Sequence, residues 1–200
     1  MSILKVSQMG HPVLRRAADP VHPDQIVTEP FQRLVTDMRE TMAAYEGAGL
    51  AAPQVHVSAR LLVYRAGGDE GVEAKSLTLV NPVIEPLGEE TASVWEGCLS
   101  IPGVSAAVTR PSQIHLEAYN LQGQPFGATL SDVMARVVQH ENDHLDGVLF
   151  IDRVATADKL DLEPTLDELA IEFQSRRDRG EIPDDEQILT RLAEFEERYC

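Results

Sequence analysis

Residues 140–144 read His140-Glu141-Asn142-Asp143-His144, and this stretch decides both the fold and the chemistry of the chain. Two histidines four positions apart lie on one face of a helix, and the glutamate after the first histidine reaches the same space. Two imidazoles so placed bind a divalent metal ion, and a neighbouring carboxylate can take a proton from water that the metal activates. The stretch therefore predicts a metal-dependent hydrolase with Glu141 as its base.

The residues around this motif predict a helix at the centre of the fold. Ser131 is a suitable N-cap, and Gly147 can end the helix. One stripe along the helix consists of Val133, Val137, His140 and His144. Because the rest of this stripe is apolar, the two histidines share the face that packs inward.

The chain before this helix predicts one further helix and a set of antiparallel strands. Thr28-Glu29-Pro30 begins a helical pattern that ends near Gly47, after an opening stretch that is mostly loop. Short apolar or alternating runs, separated by turn residues, cover residues 60–65, 77–84, 104–109 and 114–120. We therefore expect an α+β fold, in which mostly antiparallel β-sheets surround the central helix with the His-Glu-x-x-His motif and further helices follow at the C-terminus.

The C-terminal part of the chain has a different character. From residue 155 onward, 14 Asp and Glu stand against 6 Lys and Arg. Thr165 and Glu168 resemble a capping box at a helix start, and residues 180–183 interrupt the pattern. Two apolar stripes flank that interruption: Leu166, Leu169, Ala170 and Phe173, then Ile188, Leu189, Leu192, Phe195 and Tyr199. We interpret residues 156–200 as an acidic helical extension packed on a catalytic domain of residues 1–155.

The composition limits the partners and the compartment. A formal charge of −16 over 200 residues disfavours a nucleic acid held through its phosphates. Cys98 and Cys200 are the only cysteines, which is typical of a reducing compartment. The N-terminus lacks the features of a secretory signal, and no apolar run approaches the roughly 20 residues of a membrane span. We therefore expect a cytoplasmic, soluble protein.

Two histidines do not complete a metal site, because a hydrolytic metal centre needs a third protein ligand. One large group of metallopeptidases has a third histidine six residues after the second, but Phe150 occupies that position here. Another group takes a glutamate from a later helix, and three are available: Glu163, Glu168 and Glu172. Cys98 is a further option, because it follows Gly97 in a segment that also carries Glu96. Spacing alone leaves the glutamates and the cysteine open.

Three separated segments together resemble the peptide deformylase family. They are residues 47–54 (Gly-Ala-Gly-Leu-Ala-Ala-Pro-Gln), residues 96–100 (Glu-Gly-Cys-Leu-Ser) and residues 139–145 (Gln-His-Glu-Asn-Asp-His-Leu). Residues 10–15 and 147–152 are also similar to that family, and the resemblance extends over about residues 3–155. Three motifs in the family's order form a highly specific signal.

The resemblance implies a reaction, a metal and the residues that serve it. The ligands would be Cys98, His140 and His144. The family's usual working metal is Fe²⁺, with Zn²⁺, Ni²⁺ or Co²⁺ as substitutes. The implied reaction removes the formyl group from formyl-methionine at the N-terminus of nascent polypeptides and releases formate. Glu141 would serve as base and then as acid, while the Gln54 side-chain amide and the Leu99 backbone N–H stabilise the oxyanion.

The resemblance also implies how the substrate and the ligands are held. An extended peptide would lie along Ala48, Gly49 and Gly97, where small side chains leave room for it. Asp143 and Arg110 are expected to form a pair that steadies the ligands from behind.

Two residues bear on the methionine pocket. Arg136 stands where many bacterial members carry an apolar residue, and we expect its stem to cover the pocket wall while its charge points outward. Ser105 stands where some members carry a larger basic residue. A preference for methionine is expected to persist with both residues.

The expected partners are formyl-Met nascent peptides and, transiently, the ribosome, without direct contact to nucleic acid or membrane. We expect the chain to act as a monomer. Two alternatives compete with this reading. One is a zinc metallopeptidase with a glutamate as third ligand. The other is a catalytically silent relative that binds N-termini or ribosomes, which is disfavoured because the ligands and the base are all present.

Overall fold

The computed structural model describes residues 2–67 and 75–199, with side chains up to residue 194. Within these ranges the α-helices are α1 (Pro23–Ile26), α2 (Glu29–Ala44), α3 (Asp132–Leu145), α4 (Phe150–Arg153), α5 (Thr156–Asp178) and α6 (Asp185–Tyr199). Short 3-10 helices cover Pro12–Arg15 and Ala52–Val55. The strands are β1 (Gly49–Ala51), β2 (Leu61–Ala66), β3 (Lys75–Pro86), β4 (Thr91–Cys98), β5 (Ile101–Pro111), β6 (Gln113–Tyr119) and β7 (Pro125–Ser131).

Helix α2 confirms the first predicted helix. Pro30 lies in its first turn, where the missing N–H costs no hydrogen bond. Its buried residues recur at helical spacing and include Phe31, Val35 and Met38, which pack in a core cluster with residues of β1 and β2. The helix ends at Ala44, and the Gly47 N–H donates to the carbonyl of residue 42 at 2.9 Å. The chain thereby turns directly into β1.

The strands form two antiparallel sheets within the described part of the chain. One sheet has the order β1-β2-β3-β6-β7, and β4 pairs with β5 in the other. The predicted runs correspond to β2, β3, β5 and β6. The sequence reading missed β1, β4 and β7, because β1 is only Gly-Leu-Ala and most of β4 and β7 faces solvent without apolar alternation.

Helix α3 lies between the sheets and confirms the predicted central helix, but the prediction that its whole stripe packs inward is wrong at Val133, which is 74% exposed because this end of the stripe lines an open cleft. Its buried apolar residues, such as Val138 and Leu145, pack in one core cluster with Leu62 of β2 and Leu116 of β6. The helix ends before Gly147, whose backbone has φ 71°, a region that favours glycine. A Cβ there would also lie 2.9 Å from the backbone of residue 15, so this turn requires glycine. The α+β fold with antiparallel sheets around this helix is confirmed.

Helices α5 and α6 account for the acidic C-terminal part of the chain. The helix start predicted at Thr165 and Glu168 is wrong, because α5 begins at Thr156 and continues through Pro164. It begins two residues after Val154, a buried core residue that caps the end of α4, so packing of the preceding turn and not the capping box sets its start. The predicted interruption at residues 180–183 is confirmed, since α6 begins at Asp185.

The two C-terminal helices pack on the rest of the chain. Phe173, Ile188 and Leu192 are buried, and the two from α6 share a core cluster with Leu14 and Phe150. The predicted stripe residues Phe195 and Tyr199 lie beyond the described side chains, and Cys200 lies outside the described residues. The division into residues 1–155 and 156–200 stays a prediction. None of the described helices combines the length and the apolar character that crossing a bilayer requires.

Candidate metal centre

The structure brings Cys98, His140 and His144 together. Cys98 is the last residue of β4, and the two histidines project from α3, one helical turn apart. One ligand atom from each of the three residues lies within 4.8 Å of the others. Cys98 Sγ is 3.2 Å from His144 Nε2. A metal ion can therefore contact all three side chains at once.

The donor set suits a divalent transition metal. One thiolate and two imidazoles are ligands that iron, zinc, nickel and cobalt all accept. Burial lowers the pKa of His144 well below its ordinary value, so this side chain is a neutral ligand. For His140, burial lowers the pKa, but hydrogen bonds with Cys98 and Glu96 outweigh it and raise the pKa to about 10. His140 would lose that proton on binding a metal ion, so metal binding would be coupled to proton release.

Glu141 lies beside the three ligands and is almost fully buried. Burial raises its pKa to about 7, which is the range that suits a group exchanging protons at neutral pH. Its Oε2 has no hydrogen-bond partner among the described residues. A buried carboxylate oxygen without a protein partner needs another polar group, and water held next to a metal ion meets that need. This observation supports the fit of a metal ion to the site.

Gly49 on β1 leaves the space that Glu141 occupies. A Cβ at this position would lie 2.5 Å from Glu141 Oε1. The sequence analysis interpreted the lack of bulk at Gly49 as room for the substrate. The structure shows that it also makes room for the Glu141 carboxylate. The contact joins α3 to the first sheet at the site itself.

Gln54 presents its amide hydrogens to the metal ligands. Its Oε1 accepts a hydrogen bond from the Ala51 N–H at 2.8 Å, which fixes the orientation of the amide. Its Nε2 then lies 3.3 Å from Ser100 Oγ and 3.5 Å from Cys98 Sγ. Ser100, which is fully buried, is a supporting residue that the sequence reading did not single out.

A buried ion-pair network stands behind the ligands. Arg110 donates to both carboxylate oxygens of Glu96 at 2.7 and 2.8 Å, and to Asp143 at 2.8 Å. Glu96 Oε2 is 3.0 Å from His140 Nδ1, so the carboxylate orients that imidazole. Burial raises the pKa of Glu96, but hydrogen bonds from Arg110 and His140 outweigh it and lower the pKa to about 2. Arg153 of α4 also pairs with Asp143.

The sequence reading named Arg110 and Asp143 for this network but missed Glu96 and Arg153. Glu96 lies only two residues before Cys98, and that proximity to a candidate ligand was an available signal. Arg153 gave no signal, because its contact with Asp143 depends on how α4 folds back against α3.

The expectation that the charge of Arg136 points outward is wrong. Its guanidinium donates to Glu96 Oε1 at 2.5 Å and to the backbone oxygens of residues 108 and 92 at 2.9 and 2.6 Å. The side chain is only 14% exposed. The physical reason is that a buried carboxylate and two strand carbonyls offer the guanidinium better partners than solvent does.

An open cleft leads to the metal ligands between the two sheets. Its volume is about 890 Å³, and Ala48, Gly49, Gly97, Leu99 and Ser105 all line it. Strand β1 is an edge strand of the five-stranded sheet, and β4 pairs with β5 alone among the described strands. Each side of the cleft therefore presents a strand edge to which an extended peptide can add.

The glutamates of the alternative reading lie elsewhere. Glu163, Glu168 and Glu172 are all exposed residues of α5. In the described part of the chain, the cluster that can hold a metal ion contains Cys98 instead. A zinc peptidase site with a glutamate as third ligand is therefore not formed.

An open metal site with a buried carboxylate beside it, on an α+β scaffold, defines a metallo-hydrolase. Residues 3–160 match the family model for polypeptide deformylase. The chain is 36% identical to the peptide deformylase of Rhodopirellula baltica over 98% of this chain and 95% of that one. It is 41% identical to peptide deformylase 1 of Prochlorococcus marinus over 77% of this chain and 82% of that one.

Solved structures agree with the sequence comparisons. The crystal structure of a plant peptide deformylase superimposes with a TM-score of 0.80 at 34% identity, covering 92% of this chain and 97% of that one. The Plasmodium falciparum peptide deformylase in complex with an inhibitor gives a TM-score of 0.73 at 33% identity, covering 82% and 98%. The chain belongs to the polypeptide deformylase family, metal-dependent hydrolases that remove the formyl group from nascent peptides.

Proposed function

We propose that the chain deformylates N-terminal formyl-methionine with Fe²⁺ held by Cys98, His140 and His144. The observation that carries the proposal is the convergence of three ligand atoms within 4.8 Å, next to a buried carboxylate that lacks a partner on Oε2. Zn²⁺, Ni²⁺ or Co²⁺ can substitute, because the thiolate and imidazole ligands accept each of them.

Glu141 moves the proton in this proposal. A divalent metal bound here lowers the pKa of water and polarises the formyl oxygen. Glu141 Oε2 takes the proton from the attacking water and later gives it to the departing amine, which leaves formate and a free N-terminus. Its raised pKa of about 7 suits both transfers, since the carboxyl can hold and release the proton at neutral pH.

Gln54 and Leu99 stabilise the negative charge that develops on the formyl oxygen. The Gln54 amide is fixed by the Ala51 N–H, so its Nε2 hydrogens are aimed before the substrate arrives. Leu99 follows Cys98 and lines the same cleft, which supports this role for its backbone N–H. Donors that are oriented in advance need no reorganisation as the charge forms.

The cleft holds the peptide as an added strand. Ala48 and Gly97 lie on its two sides, where little side-chain bulk separates a substrate backbone from the protein backbone. The apolar wall next to the ligands includes Val104, Val133 and Val137, which suits a methionine side chain. The inward-turned Arg136 contributes its stem to this wall, because its charge is already paired with Glu96.

The setting of the reaction follows from the charge and the substrate. Nascent formylated chains are presented by the ribosome, so the proposal includes a transient meeting with it in the cytoplasm. A net charge of −16 opposes direct contact with RNA, and the chain acts as a monomer. Residues 1–155 form the catalytic domain, and residues 156–200 form an extension that packs on it.

The experiment is anaerobic purification with metal analysis, followed by an assay of formate release from a formyl-Met peptide. We expect about one iron per chain and formate release that requires it. Cys98→Ser should abolish metal retention, whereas Glu172→Gln, which changes an exposed carboxylate of α5, should leave it unchanged.

Glu141→Gln separates the metal from the proton transfer. This variant should retain the metal and lose formate release, because an amide cannot take the proton. Formate release at a rate near that of the unmodified protein would remove Glu141 from the proposal. Cleavage of internal peptide bonds without formate release would overturn the proposed reaction as a whole.

A further inference from the structure

A second cavity, of about 600 Å³, lies under the C-terminal helices and apart from the cleft of the metal centre. Its walls come from residues 5–8, the imidazoles of His11 and His56, the end of α5, residues 180–183 and α6. Gln8 is the one residue that lines both spaces. The proposed function uses none of the other residues of this cavity.

The two histidines of this cavity form a hydrogen-bonded pair with a defined direction. The Val13 N–H donates to His11 Nδ1 at 3.3 Å, so that nitrogen is an acceptor. In neutral His11 the hydrogen therefore resides on Nε2, which lies 3.2 Å from His56 Nδ1 and donates to it. Neutral His56 must then carry its own hydrogen on Nε2. The pair thus presents an N–H donor from His56.

Both imidazoles are neutral at physiological pH. Burial, and then His56 and nearby cations, lowers the pKa of His11 to about 4. Burial also lowers the pKa of His56, and the positive charges of Lys5 and Arg191 lower it further. Both cations also line the same cavity as His56.

Neither Lys5 nor Arg191 forms an ion pair with a described side chain. Glu181 pairs with Arg176 and Arg179 and Asp185 pairs with Arg177, while Asp184, Glu186 and Glu194 line a neighbouring groove with Arg191 without forming an ion pair with it. Two cations without an ion pair at one cavity are notable on a chain of net charge −16. The rest of the cavity wall is largely apolar and includes Val6, Phe173, Ile182, Ile188 and Leu192.

The cavity wall opposite the helices is rigid. The Ser7 N–H donates to the Gln54 carbonyl at 2.7 Å, and the Met9 N–H donates to the Ser100 carbonyl at 2.8 Å. Ser7 Oγ is also 3.1 Å from His56 Nδ1. The imidazole of His56 is therefore already in place when a ligand arrives, which limits part of the ordering cost of binding.

We propose that this cavity binds a small organic anion with an apolar tail. Its carboxylate lies between the His56 Nε2–H, the Lys5 ammonium and the Arg191 guanidinium, and its tail lies among Phe173, Ile188 and Leu192. A volume of about 600 Å³ is in the usual range for small-molecule sites. The carboxylate matches one neutral and two positive donors, and the tail matches the apolar wall.

The test uses the full-length, zinc-loaded protein and octanoate as the probe. Octanoate is titrated while the imidazole signals of His11 and His56 are followed by NMR, and octanamide serves as the uncharged probe of equal length. We expect saturable shifts at His11 and His56 with octanoate, and at least about tenfold weaker binding of octanamide, which corresponds to ~1.4 kcal/mol.

Two matched double variants test the role of the cations. Lys5→Gln/Arg191→Gln should weaken octanoate binding at least tenfold. Lys75→Gln/Arg33→Gln removes two exposed charges far from the cavity in sequence and should leave binding unchanged. Both double variants change the net charge equally, so a general electrostatic effect would appear in both.

Three outcomes would overturn the proposal. The first is the absence of saturable shifts at His11 and His56 up to about 10 mM octanoate. That concentration is well above a Kd of about 1 mM, which is typical of weak binding. The second is equal binding of octanoate and octanamide, which would mean an apolar cavity without preference for an anion. The third is shifts confined to His140 and His144, which would place the carboxylate on the metal.

Discussion

Substitution of Gly49 by alanine tests how tightly the site holds Glu141, the proposed base. The added Cβ would lie 2.5 Å from Glu141 Oε1, 2.6 Å from its Cγ and 2.7 Å from its Cδ. Ordinary contact begins at 3.4 Å, so the carboxyl has to move by about 1 Å. The backbone of Gly49 lies outside the left-handed region, and alanine therefore adds no backbone strain.

A displacement of this size should reduce turnover about 100-fold, because proton transfer depends on the position of the carboxylate. The fall should appear in kcat for formate release from a formyl-Met peptide. Metal content should remain unchanged, because the three atoms nearest to the methyl group all belong to Glu141. Metal analysis and kcat are measured on the same preparation.

Gly97→Ala is the matched control in the same cleft. A Cβ at Gly97 meets only the carbonyl of residue 104, at an ordinary distance of 3.5 Å. This variant should keep its kcat and, at most, raise KM where the peptide runs past β4. A normal kcat in Gly49→Ala would refute the reasoning, since the methyl group would then have been accommodated without moving Glu141.

A double variant separates the steric explanation from a general loss of fold. Glu141→Asp shortens the side chain by one methylene and by itself shifts the carboxylate, the same group that the new methyl group would displace. The effects of Gly49→Ala and Glu141→Asp on kcat should therefore be less than additive. Full additivity would show that the alanine acts on something other than Glu141.

Three further predictions concern the network, the buried histidine and the amide donor. Arg110→Met should lower the free energy of unfolding by up to about 3–5 kcal/mol, because Glu96 and Asp143 lose the buried cation that joins them and keep only Arg136 and Arg153, whereas Arg15→Met at a half-exposed pair should cost at most about 1 kcal/mol. Denaturant titration distinguishes them, and equal losses would contradict the network. The pKa of His11 is about 4 in the folded protein, against an ordinary value of 6.5 for histidine. As the pH falls, the unfolded chain therefore binds this proton at a higher pH than the folded protein does. Stability is then lost as pH falls from 6.5 to 4, by up to about 3 kcal/mol, and His11→Gln should flatten that slope. A parallel slope in both proteins would show that His11 is not the titrating group. Gln54→Ala should reduce kcat about 100- to 1000-fold with metal retained, and near-normal turnover would remove Gln54 from the site.

The local sequence was sufficient for the elements whose residues repeat at a regular period. Phe31, Val35 and Met38 predicted α2, and the spacing of His140 and His144 predicted the inward face of α3. Such patterns depend only on which side chains share a face of one helix. The order of three motifs also indicated the family and Cys98 as a ligand, and the structure places that cysteine beside both histidines.

Strands without apolar alternation were not predictable in the same way. Strand β1 is three residues long, and it is a strand because Leu50 pairs with Val63 of β2. Strand β4 is mostly exposed and is defined by its pairing with β5. Pairing of this kind is a property of two segments, and neither segment alone carries the pattern.

The sequence by itself indicated the candidate metal-binding residues, the candidate base and the helix that presents them, because short spacings and, through the family resemblance, a specific order of motifs point to them. The tertiary structure alone decided which groups support them. Glu96 orients His140, Arg136 turns inward, and Gly49 makes room for Glu141 only because distant segments meet at one place. The same holds for the His11–His56 pair, whose residues are 45 positions apart and share one cavity with the C-terminal helices. Contacts between distant segments follow from the packing of the whole chain, and no local period records them.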